Sequence, residues 1–83
     1  MAAKGSLRAL GDEIRARREE RGLSQERLAD LSGLHRNFIG LIERGQRNPT
    51  FFTLLAIARK LGLPLSELVA SAERREKWHL YLT

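Results

Sequence analysis

The 83 residues contain no cysteine, which excludes disulfides, thiolate-ligated zinc fingers and thiol nucleophiles together and fits a reducing cytoplasm. Long apolar runs are missing as well. The longest, Leu54 to Ala58, falls far short of the roughly 20 residues a bilayer span needs, so no membrane association is expected. Met1 to Ser6 lacks the apolar stretch of a secretory signal, and the chain is expected to be soluble and cytoplasmic. Catalytic constellations are absent too: His35 and His79 stand far apart, no helix pattern sets paired carboxylates beside a histidine, and no glycine loop is built to cradle a phosphate. Neither enzymatic activity nor a cofactor is expected.

What is present is helical periodicity and positive charge. The formal net charge is +5, carried mostly by arginine, which reads either as a polyanionic partner or as plain solubility. Leu7, Leu10 and Ile14 recur at helical spacing up to Gly22 and define a first helix. Ser24 stands where an N-cap belongs, ahead of a short second helix carrying Leu28, Ala29 and Leu31. After Ser32, Gly33 and Leu34, a third runs from about Arg36 to Arg44 with Phe38, Ile39 and Ile42 inward. Thr50 caps a fourth, whose inner stripe is Phe51, Leu54, Ile57, Ala58 and Leu61. Pro64 precedes a fifth, with Leu65, Leu68, Val69 and Ala72 inward. The fold class is therefore all-α, a compact five-helix domain over residues 7–72, with a flexible arm at 1–6 and a tail at 73–83. In that tail Trp78, Leu80 and Leu82 alternate with His79, Tyr81 and Thr83, which fits a short strand or a continued helix. A domain this small buries only roughly 60–65% of its unfolded surface, so a second subunit would help it.

Two short helices joined through a glycine-containing turn of three or four residues form a helix-turn-helix, whose second helix enters the major groove of DNA. That geometry requires a small residue where the helices cross, a left-handed turn position and apolar anchors beneath the second helix. Ala29, Gly33, Leu34, Ile39 and Ile42 meet these demands at the correct mutual offsets. The segment Leu23 to Gly45, with Gln25, Ala29, Gly33, Ile39, Ile42 and Glu43, resembles the phage repressor and Cro helix-turn-helix family, and the similarity extends from about Leu10 to Leu68. Within it, the run from His35 to Pro49 is similar to the small controller proteins of restriction-modification systems and other stand-alone bacterial regulators. The resemblance implies a lambda-repressor-like five-helix domain, a two-fold dimer built largely with the C-terminal helix, and a palindromic double-stranded DNA operator.

With Phe38, Ile39 and Ile42 inward, the opposite strip of the third helix is Arg36, Asn37, Gly40, Leu41 and Arg44. Arg36 suits guanine O6 and N7, Asn37 suits adenine N6 and N7 unless it only assists capping, and Leu41 suits a thymine methyl. Gly40 is explained either by close backbone approach to DNA or by relief of a clash with the second helix. His35 replaces the usual hydroxyl cap, which leaves its imidazole for DNA or for solvent. Gln25 opens the second helix, where free amides attract phosphate, and the resemblance makes it a backbone clamp. Arg44, Arg47 and Asn48 are candidates for gripping the DNA backbone beyond the groove, with a solvated loop as the alternative. The resemblance also makes Arg18 and Glu43 a structural ion pair. Arg17 is expected to cover the core with its stem.

A dimer interface is expected from Phe52, Leu55, Leu68 and Trp78, with local packing as the competing account of Phe52. The rival to a DNA-binding regulator is an interaction module of the same fold, such as an antitoxin, binding a partner protein through the tail. Retention of Arg36, Asn37, Gln25 and Arg47 in register favours DNA.

Overall fold

The computed structural model describes residues 2–76, with side chains from Gly5 onward. Five helices follow in order: α1 (Ala2–Glu20), α2 (Gln25–Ser32), α3 (Arg36–Glu43), α4 (Phe51–Leu61) and α5 (Leu65–Glu76). No strand occurs among the described residues, and none of their helices is long and apolar enough to cross a membrane. The local signals act where they stand. Ser24 Oγ accepts from the Arg27 amide at 2.9 Å, and Thr50 Oγ1 from the Thr53 amide at 3.1 Å, each satisfying a donor the helix start leaves free. Gly33 closes α2 at φ 71, and the Leu34 amide reaches back to the Ala29 carbonyl at 2.8 Å. A side chain at Gly33 would meet no atom, so its glycine is required by the backbone conformation alone.

One core unites the elements: Ile14 of α1, Leu28 and Ala29 of α2, Ile39 and Ile42 of α3, Ile57, Ala58 and Leu61 of α4, and Leu68 of α5. Each fully buried Ile or Leu contributes on the order of 1.5–3 kcal/mol of transfer free energy. A residue unremarked in the sequence sets how α1 meets α3. A Cβ at Gly11 would fall on the carbonyl oxygens of Ile42 and Glu43, so only glycine lets the α1 backbone pass the end of α3 this closely.

Several expectations are corrected. The helix begins at Ala2 rather than near Leu7, so residues 2–6 are the first turns of α1 and not an arm. This turn is docked on α5, where Ser6 Oγ donates to Glu76 Oε2 at 2.6 Å. At the other end α5 continues to Glu76, and the remaining tail, with Trp78, lies outside the described residues. Phe51 is 60% exposed and Val69 38%, although helical spacing puts both on inner stripes. Phe51 opens α4 before its first core residue, and α5 turns Leu68, Ser71 and Ala72 inward instead of Val69.

Arg17 does more than lay its stem on the core. Its Nε donates to Glu13 at 2.7 Å and its Nη2 to Ser71 Oγ at 3.0 Å, while Arg75 Nε reaches the other Glu13 oxygen at 2.6 Å. These contacts strap α5 to α1. Burial pushes the Glu13 carboxyl up, but the hydrogen bonds and charges of Arg17 and Arg75 outweigh it and hold the group below its ordinary value.

Candidate nucleic-acid interface

The turn at Gly33 sets α3 across α2 with one apolar edge down. Ile39 and Ile42 are fully buried and Phe38 half-buried, which leaves Arg36, Asn37 and Arg44 exposed and Leu41 half-exposed. Between this outer edge and the first turn of α2 runs an open concavity lined by Gln25, Glu26, Arg36, Asn37, Gly40, Leu41 and Arg44. Six of these seven were singled out from the sequence, and the fold brings them to one surface. Arg47 and Asn48 do not line it. Arg47 lies beyond α3, with its guanidinium carbon 5.3 Å from the centroid of the Phe38 ring in a cation–π contact. Arg44 Nε donates to Gln46 at 3.2 Å.

The concavity is tied to the core by a buried polar chain. Arg18 donates to Glu43 through Nε at 2.6 Å and Nη2 at 3.1 Å, and its Nη1 donates to the Leu23 carbonyl at 2.7 Å. The hydrogen bonding of Arg18 to Glu43 is the main cause holding its guanidinium above the ordinary value. Glu43 Oε1 also accepts from Gln25 Nε2 at 2.9 Å. The side chain that opens α2 is therefore already oriented from within. Gln25 and Glu43 meet because α2 starts beside the end of α3, a juxtaposition that residue spacing does not reveal.

Gly40 is covered by the ends of flexible side chains, with a built Cβ meeting Arg44 Nη1 at 3.2 Å and Gln25 Oε1 at 3.4 Å. No backbone atom of α2 presses on it, so relief of a clash between the helices does not explain this glycine. His35 serves as the cap of α3, its Nδ1 accepting from the Asn37 amide at 3.2 Å. An imidazole nitrogen does here what a hydroxyl would do. The residue missed from the sequence is Glu26, whose Oε2 stands 3.6 Å from Arg36 Nη1 across the gap between α2 and α3. Only the crossing of the two helices makes that pair, and no periodicity signals it.

On another face, Phe52 is 77% exposed and stacks edge-on against Phe51 with ring centroids 5.4 Å apart. Leu55 is half-buried. Leu68, expected at a dimer interface, has no exposed surface because it is a core residue of its own subunit.

Comparison with known proteins agrees with this geometry. A family model described as helix-turn-helix matches residues 14–68. Control protein C.SmaI of Serratia marcescens is 43% identical over 60 residues, spanning 72% of this chain and 71% of that protein. An immunity repressor protein of Bacillus phage phi105 is 42% identical over 60 residues, 72% of this chain and 42% of the repressor. The crystal structure of the restriction-modification controller protein C.AhdI from Aeromonas hydrophila superimposes with a TM-score of 0.73 at 45% identity, over 75% of this chain and 94% of that one.

Proposed function

The chain belongs to the helix-turn-helix family and carries that family's DNA-binding domain, and from this premise we propose that it regulates transcription as a homodimer on a two-fold symmetric operator. The observation that carries the reading is the concavity, where α3 offers Arg36, Asn37 and Leu41 outward while Ile39 and Ile42 anchor it. Arg36 reads guanine O6 and N7, Asn37 reads adenine N6 and N7, and Leu41 touches a thymine methyl. Gln25, Arg44, Arg47 and Asn48 hold the sugar-phosphate chain on either side of the groove, and Gly40 lets that chain approach the α3 backbone. Gln25 is suited to this role because Glu43 fixes its amide and the α2 N-terminus adds free backbone donors.

Two copies joined through the exposed Phe52 and the adjoining Leu55 set their α3 helices about 34 Å apart, in successive major grooves. Occupancy then controls a promoter according to the dimer concentration. The matched controller and repressor proteins support this reading.

Selection of binding sites from random duplexes at fixed salt tests it. The expected result is a palindrome with half-sites about 10 base pairs apart centre to centre. With Arg36→Ala, affinity drops by about 1–3 kcal/mol and preference relaxes at one base pair per half-site. An asymmetric consensus would sink the dimer, and an equal loss on every sequence would make Arg36 a phosphate contact.

A further inference from the structure

One side chain in the concavity has the wrong sign for a surface that meets phosphates. Glu26, on the first turn of α2, places Oε2 3.6 Å from Arg36 Nη1, and the two side chains are 68% and 67% exposed. A pair so open to water contributes little to folding. Nor is it needed to join α2 to α3, which Leu28, Ala29, Ile39 and Ile42 already do. Arg36 for its part is the first residue of α3, where the helix dipole disfavours a cation, and it has no other salt bridge among the described residues. A free guanidinium there would visit many rotamers and settle on any nearby phosphate.

We propose that Glu26 is a positioning residue that sets the sequence specificity of Arg36. The carboxylate attracts the guanidinium from its Nη1 side as a loose ion pair at 3.6 Å and leaves the edge formed by Nε and Nη2 free, the two parallel donors that match guanine O6 and N7. Its negative charge also weakens attraction of this corner of the concavity to phosphates of arbitrary sequence. Affinity for random DNA is thereby lowered, while the contact made at the right base pair is retained. The inference rests on base reading by Arg36 as proposed above.

The test compares wild type, Glu26→Gln, Arg36→Ala and the double variant, each as full chain, on the selected operator and on a random duplex at several salt concentrations. Glu26→Gln should leave the thermal midpoint unchanged and raise affinity for the random duplex by about 3–10-fold, with a smaller gain on the operator and a relaxed preference at the Arg36 base pair. In the Arg36→Ala background the same change should raise both affinities equally. If Glu26→Gln strengthens both duplexes equally while Arg36→Ala still relaxes one base pair, the role of Glu26 alone is overturned. A uniform loss for Arg36→Ala would overturn base reading by Arg36 and this inference together.

Discussion

Among its described side chains, helix α1 carries two buried charges, Glu13 and Arg18, and they are neutralised in opposite ways. Arg18 is enclosed with a single acid, Glu43, in a bidentate pair whose side chains are 10% and 3% exposed. Glu13 is a buried acid shared by two arginines that remain partly in water, Arg17 at 27% and Arg75 at 44%. At the α1–α3 end water cannot replace a lost partner, so the pair fixes orientation. At the α1–α5 end it can, so the strap is softer and more sensitive to conditions.

Breaking the harder pair should have the largest effect. Glu43→Ala leaves the Arg18 charge buried without a counter-ion, and a loss of about 3–5 kcal/mol is expected in thermal or denaturant unfolding. A loss below about 1 kcal/mol would mean that solvent reaches Arg18 and would erase the contrast between the two ends. Glu13→Gln should cost less, about 1–2 kcal/mol near neutral pH, because Arg17 and Arg75 can turn to water. Its signature is the pH dependence. The Glu13 value is depressed in the fold, so its contribution is full above the ordinary value of 4.5 and is lost as pH falls through the lower folded value. The glutamine variant should lack that part of the acid limb, and an identical acid limb in both proteins would refute the shared-acid account.

The smallest effect on stability is expected at Gly40, beside the Gln25 arm of the hard network. Gly40→Ala gains helix propensity and displaces only the ends of Arg44 and Gln25, so stability should move by no more than about 1 kcal/mol. DNA affinity should nonetheless fall on all sequences, read by a binding titration on operator and random duplexes. An unchanged affinity would show that the DNA backbone does not approach this position.

The middle of the chain was legible because its punctuation is local. Ser24, Gly33, Thr50 and Gly62 each bind or bend their own helix end, and the inward positions Ile39 and Ile42 follow from a period that the chain itself carries. Periodicity names a face but not where the core ends, which is why Leu68 lies inward as its spacing indicates while Phe51 and Val69 emerge exposed. Of the features made by two distant segments, the resemblance supplies the Arg18–Glu43 pair and residue spacing supplies none. Gly11 has its reason in carbonyl oxygens at the end of α3, and Glu26 has its partner on another helix. Arg17 looked like a stem covering the core because its contacts with Ser71 and Glu67 come from α5.

The division of α3 into an anchored edge and an exposed edge bears on how such a protein changes over time. Arg36 and Asn37 stand in water and support nothing in the core, whereas Ile39, Ile42 and Glu43 hold the helix in place. Substitutions at the outer positions carry almost no folding penalty, so under the proposed function new operator preferences would be open to single mutations in an otherwise unchanged scaffold. Under the proposed function the helix would act as an exchangeable reading head, with drift in target choice decoupled from drift in stability.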